Sequence, residues 1–117
     1  MRTDQIHYTL QFDVADGKMA EFEALADEAI TQTRDEPGTL VYRWQMGSPS
    51  TVQLHERFAD EAAMGAHLAA ATEVFGKLME VSEVTRFDVH GDISNESTEA
   101  LEGFGATIYK SWKGYEL

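Results

Sequence analysis

An α+β fold built on a split βαβ unit is predicted by three observations. Residues 6–14, 39–46, 52–58 and 85–89 alternate apolar and polar side chains, the period of two that a sheet with unlike faces requires. Residues 18–35 and 61–79 instead repeat apolar side chains at steps of three and four, which places one buried stripe on each of two helices. The resulting order of strand, helix, strand, strand, helix, strand is the ferredoxin-like arrangement, with both helices on one face of an antiparallel sheet. At 117 residues the chain is long enough for one core and predicts a single domain without a linker.

Each element has its own justification. In the first strand Ile6, Tyr8, Leu10, Phe12 and Val14 alternate with His7, Thr9, Gln11 and Asp13, and Asp16-Gly17 ends it. The first helix carries Met19, Phe22, Leu25, Ala26, Ala29 and Ile30 on one stripe. Pro37 lacks an amide donor and Gly38 is expected to accept a left-handed exit, so the helix stops and a strand begins at Thr39. Tyr42, Trp44 and Met46 share one face of that strand, and a Ser-Pro-Ser turn at residues 48–50 returns the chain through Val52, Leu54, Glu56 and Phe58. Asp60 caps the second helix, which runs from Glu61 through Met64, Leu68 and Ala71; Thr72 is positioned to cap a further turn or helix with Val74, Phe75, Leu78 and Met79. Thr85, Phe87 and Val89 mark the fourth strand.

The division expected is a core unit over residues 1–91 and a C-terminal extension over 92–117. The extension reads as a short helix near Glu96 to Leu101, a Gly103-Phe104-Gly105 turn and a strand-like Ala106 to Trp112. Ile108, Tyr109, Trp112 and Tyr115 are too much apolar area to leave in water, at about 25 cal/mol per Å², so the extension is expected to dock on its own or a partner subunit.

Composition narrows the partners. Nine basic residues against 21 acidic give a formal net charge of −12, which repels phosphate backbones and anionic headgroups, so neither nucleic acid nor membrane is expected. The chain has no cysteine, which removes disulfides, thiolate catalysis and thiolate metal sites. No apolar run suits a signal or a membrane span, and a cytoplasmic location is the expectation.

Glu56 breaks the pattern of its strand, being a carboxylate on the otherwise apolar side. A buried carboxylate needs a donor or a neutralising partner. His67, in the second turn of the next helix, could supply one, and a Glu56–His67 pair would hold the imidazole in one tautomer as a base. Tyr8, Tyr42, Trp44, Phe58 and Phe75 are the side chains expected to bind a flat, conjugated molecule between sheet and helices. Plain core packing is the other reading of these aromatics, and a lysine or a backbone amide is the other partner for Glu56.

The uncovered sheet face would carry His7, Thr9, Gln11, Arg43, Gln45, His55, Arg57, Arg86 and His90, and must be solvated or covered by a partner. His7, His55 and His90 would share it, but no metal-ligand spacing accompanies them, and no metal is expected. There is no Gly-x-Gly-x-x-Gly and no Gly-x-Ser-x-Gly, so nucleotide cofactors and a serine nucleophile lose their simplest support.

Glu36-Pro37-Gly38, Tyr42 with Trp44, Glu56-x-Phe58 and Ala66-His67-Leu68 together resemble the antibiotic biosynthesis monooxygenase family. Val84-Thr85-Arg86-Phe87, His90-Gly91-Asp92, Gly103-Phe104-Gly105 and Gly114-Tyr115 extend the likeness to a longer branch of it. The resemblance implies a dimeric α+β barrel, in which two copies cover each other's open sheets. It further implies a cofactor-independent monooxygenase acting with dioxygen on a quinol, anthrone or polyketide-like phenol; in such an enzyme the pair read above would act with His67 as base and Glu56 as its orienter. A non-catalytic small-molecule-binding or stress-associated module, or an isomerase or lyase using the same pocket, are the alternatives. Haem-degrading relatives use a first-strand asparagine and a late-helix histidine, whereas the one asparagine here is Asn95 and the late helix reads Phe75-Gly76-Lys77-Leu78-Met79. Phe58 also stands where the family commonly has tryptophan after Glu-x.

Overall fold

A computed structural model describes residues 4–117. The elements in chain order are β1 (Ile6–Val14), α1 (Met19–Thr33), β2 (Thr39–Ser48), β3 (Thr51–Phe58), α2 (Glu61–Val81), β4 (Ser82–His90), α3 (Asn95–Gly103) and β5 (Thr107–Tyr109). They form one sheet in the order β2-β3-β1-β4-β5. The first four strands pair antiparallel, as the alternation predicts; β5 joins β4 in parallel, so the extension makes the sheet mixed.

Alternation divides β1 as expected, with Ile6, Tyr8, Leu10, Phe12 and Val14 buried beneath the helices. Phe12 anchors one end of the core, stacked on Trp44 at 5.6 Å between centroids and edge-on to Phe22 of α1 at 5.5 Å. Leu78 and Val81 of α2 close this region.

Two local expectations are corrected. Thr72 starts no new helix: α2 is continuous, and the Thr72 hydroxyl donates to the Leu68 carbonyl at 2.9 Å, back along the same helix. The Ala69-Ala70-Ala71 run before it strongly favours helix, so nothing interrupts the ladder. Gly38 does not take a left-handed conformation; the glycines with positive φ are Gly17, Gly91, Gly105 and Gly114. What its position demands is space, since a Cβ there would lie 2.4 Å from the Cβ of Ala63 on α2.

The extension packs on the chain's own core at its start. Ile93, Leu101 and Ala106 join Ile6, Tyr8, Phe58, Met64 and Val89 in one buried cluster. Glu61, at the first turn of α2, ties α3 down: it accepts from the Ser94 amide at 2.8 Å and from the Ser94 and Ser97 hydroxyls at 2.6 and 2.7 Å. Tyr109 stacks on His90 at 4.9 Å. Trp112 and Tyr115, by contrast, stay exposed and find no cover among the described residues. No helix among the described residues is long and apolar enough to cross a membrane.

Candidate active site

Strand register builds the floor of the site. Glu56 on β3 pairs with Tyr8 of β1 on one side and Tyr42 of β2 on the other, so three polar side chains lie in a row across the helix-covered face. Trp44 follows two residues further along β2, opposite Leu54, in line with Leu10. Period-two alternation puts all of these on one side, and the paired strands bring them within reach of one another.

His67 enters from above, on the buried face of α2. Its Nε2 lies 2.8 Å from Glu56 Oε1, and its Nδ1 bonds Glu36 Oε1 at 2.8 Å. Exposure of the side chains rises along this chain, from 2% at Glu56 to 5% at His67 and 22% at Glu36. The two contacts differ in kind. The one to Glu36 is an aligned hydrogen bond, whereas Glu56 Oε1 is a close charge contact off the ring N–H axis and has no aligned partner among the described residues.

Burial by itself would lower the His67 pKa, but the Glu56 carboxylate and then that of Glu36 raise it, and the net direction is upward. The imidazole is thus held toward its cationic form by a carboxylate at each nitrogen. Burial first, and the Glu56 charge second, push the Tyr8 hydroxyl far above its ordinary value. Tyr42 moves the same way for the same reasons, against weaker opposing contributions from Thr33 and Trp44. Both tyrosines therefore stay protonated hydrogen-bond donors.

Between the sheet and the helices lies a cavity of about 530 Å³, walled by Leu10, Phe12, Trp44, Leu68, Phe75 and Phe87 and bordered by Tyr8, Tyr42, Glu56 and His67. Leu101 and Phe104 of the extension form part of its rim. The Tyr8 hydroxyl is buried without a hydrogen-bond partner among the described residues, and the buried Trp44 indole nitrogen has no well-aligned one. A buried donor without an acceptor costs roughly 1–3 kcal/mol, so these groups favour a guest that brings oxygen atoms.

Of the residues singled out from the sequence, Tyr8, Tyr42, Trp44, Glu56, His67 and Phe75 meet around this cavity. Phe58 does not line it: fully buried, it packs behind the site, 5.1 Å from the Tyr8 ring and 5.3 Å from the His67 ring. Glu36 is the residue that sequence reasoning missed. Its signal was the Glu-Pro-Gly motif itself, but nothing in a loop's sequence reports a contact made 31 positions away. On the opposite face of the sheet His7 pairs with His90 in register, and Thr9 Oγ1 lies 3.3 Å from His55 Nδ1. Burial first, then Arg57 and His90, lower the His7 pKa. No group of histidines and carboxylates among the described residues is placed to hold a metal ion.

Sheet, helices and cavity define an α+β protein with a buried carboxylate–imidazole–carboxylate chain against an aromatic pocket. The chain belongs to the antibiotic biosynthesis monooxygenase family, whose model matches residues 6–76, more than half of its length. The fold is similar to that of MupZ from Pseudomonas fluorescens, at 19% identity and a TM-score of 0.82 over 97% of this chain and 95% of that one. It is similar as well to protein SO0527 from Shewanella oneidensis, at 30% identity and a TM-score of 0.64 over 74% and 87% of the two chains. SnoaB from Streptomyces nogalater, a cofactor-independent oxygenase, shares the fold at 17% identity and a TM-score of 0.67, over 79% and 96%. No curated protein matches the sequence.

Proposed function

We propose that this protein is a cofactor-independent monooxygenase acting on an electron-rich aromatic, of the quinol, anthrone or polyketide-like phenol class, with dioxygen. The observation that carries the reading is the buried Glu56–His67 contact, at 2.8 Å, on the wall of an aromatic cavity of about 530 Å³. Family membership and the fold shared with the oxygenase SnoaB support it.

The order of roles we propose reverses the one expected from the sequence, in which His67 is the base and Glu56 its orienter. Both nitrogens of His67 are engaged by carboxylates, so its ring has no free lone pair for a substrate. Glu56 is therefore the base, and the His67 imidazolium stabilises the charges around it. Glu56 takes a proton from an activated ring carbon or hydroxyl, and the resulting anion is held by donors from Tyr8 and Trp44. For a ring methylene, the anion reduces dioxygen and bonds to it, giving a peroxide that recovers the proton from Glu56. Loss of the second carbon-bound hydrogen then breaks the O–O bond and releases water, leaving a carbonyl. The substrate carbon thus exchanges two hydrogens for one oxygen, and the second oxygen atom leaves as water. The apolar walls of Phe12, Phe75 and Phe87 orient the ring and exclude solvent.

The test is oxygen uptake with hydroquinones and anthrones, native protein against Glu56→Gln and His67→Ala, with autoxidation subtracted. Uptake that both substitutions abolish without loss of fold supports the proposal, and undiminished uptake in both variants ends it. A second reading is favoured by the same pair: a carboxylate that lifts a proton and returns it elsewhere is sufficient for an isomerase or lyase, which turns over substrate without consuming oxygen. The open sheet face supports a homodimer. Arg57 Nε on that face is buried without a partner among the described residues, and sedimentation of the protein tests whether a second copy covers it.

A further inference from the structure

We propose that Glu36 is a positioning residue of this site, fixing His67 through Nδ1 so that Nε2 faces Glu56, and that Gly38 permits this by letting its loop lie against α2. The inference rests on the site described above but not on any particular reaction.

Four observations converge on Glu36. Its Oε1 accepts from His67 Nδ1 at 2.8 Å and from the Thr39 hydroxyl at 2.9 Å, so one oxygen is held by two donors. Its backbone is held as well: the Glu36 amide donates to the Thr33 carbonyl at 3.0 Å, and its carbonyl accepts from Thr39 at 3.3 Å. Pro37 stiffens the chain beside it. The Gly38 carbonyl then accepts from Ala59 at 2.9 Å, stitching the loop to the end of β3. A carboxylate gripped in this way is a fixed acceptor, and a fixed acceptor sets the plane of the imidazolium and, once the ring is neutral, keeps the remaining proton on Nδ1.

Gly38 explains how a loop between α1 and β2 comes near enough to α2. Its conformation is open to any residue, since it is not among the positive-φ glycines. Its surroundings are not: a Cβ would sit 2.4 Å from the Ala63 Cβ, closer than side chains ever approach. Ala63 lies one turn before His67 on the same helix, so the glycine–alanine contact sets the spacing between Glu36 and the imidazole. The groups that face His67 are Glu56 from β3, the Tyr42 ring from β2 at 5.7 Å, the Phe58 ring and Glu36. Tyr8 of β1 pairs with Glu56 in register and feels its charge. None is a cation, so the two carboxylates are what offset burial in setting the imidazole's charge.

The experiment follows the His67 imidazole through a pH titration by NMR on the full chain, with its signal assigned by its loss in His67→Asn. Glu36→Gln keeps the shape and removes the charge, and lowers the His67 midpoint by about one unit or more. Gly38→Ala produces the same fall although Glu36 is untouched, because the loop is pushed from α2. Adding Ala63→Gly to Gly38→Ala removes the clashing methyl and restores the native midpoint. On a turned-over substrate, the corresponding limb of the kcat profile moves with the midpoint while KM changes little.

An unchanged midpoint in Glu36→Gln overturns the positioning role, and a native midpoint in Gly38→Ala overturns the role given to the glycine. Should Gly38→Ala alone fail to fold, recovery of fold and midpoint in the double variant makes the same point, and non-recovery counts against it. Absence of oxygen uptake in the native protein defeats the oxygenase reading and leaves these titrations, and what they decide, intact.

Discussion

Glu56 on β3 and His67 on α2 stand 2.8 Å apart with both side chains almost wholly out of water. The Glu56 carboxylate favours the charged form of the buried imidazole, and removing one member of a buried pair leaves its partner less well compensated. Glu56→Gln is expected to reduce kcat by about 100-fold or more with the fold retained, read as oxygen uptake beside circular dichroism. Glu56→Leu strips the partner altogether and is expected to cost about 3 kcal/mol in a urea titration. A leucine variant as stable as the native protein would show that the pair carries no net charge-pairing stability.

Stability above neutral pH should report His67. The imidazole is less willing to charge when buried, yet Glu56 and then Glu36 more than offset this, so its pKa is higher in the folded than in the unfolded chain. Such a group contributes its full stabilisation below the ordinary imidazole value of about 6.5, and loses it as pH rises through the raised folded value. As pH rises above about 6.5, the native protein is expected to lose more stability than His67→Gln does. Parallel losses in the two proteins would contradict the assignment.

Tyr8 and Trp44 carry buried donors with no well-aligned acceptor among the described residues. Removing an unsatisfied buried donor relieves a cost, so Tyr8→Phe is expected to leave the ligand-free protein as stable or up to about 1 kcal/mol more stable. The same change removes a hydrogen bond to a bound guest and should weaken binding of 1-naphthol about fivefold, measured by quenching of Trp44 fluorescence. Destabilisation of the free protein together with unchanged binding would place the hydroxyl outside the site.

Glu61 is expected to make the docking of the extension pH-dependent. Hydrogen bonds from the Ser94 and Ser97 side chains, then from the Ser94 amide, hold its carboxyl below the usual range. A depressed carboxyl contributes stability above its unfolded value and loses it as pH falls through the folded one. Glu61→Ala is expected to speed hydrogen exchange about tenfold at the amides of 95–103 while leaving the β1 and β3 ladder protected. Equal exchange of α3 in both proteins would mean that Leu101 packing alone retains it.

Much of this architecture could be read along the chain because its causes are local. Alternation in β1 and β3 reports which side chains face the helices, and the same alternation exposes Glu56 as a carboxylate on the wrong side. Thr72 shows where a local signal loses: a residue that can cap a helix was absorbed by one whose flanking alanines and Leu68 carbonyl continued it. Gly38 shows a local signal with the wrong cause, since its glycine answers to Ala63 across the fold and not to its own backbone angles.

The element order, the buried faces, the solitary carboxylate on β3 and the histidine one helix later are all legible along the chain, because strand and helix periods are fixed by backbone geometry. Tertiary structure decided which groups touch: the register that seats Glu56 between Tyr8 and Tyr42, and the loop approach that brings Glu36 to His67. Register and approach depend on packing between segments distant in the chain, where a displacement of one residue or one methyl group reassigns every partner.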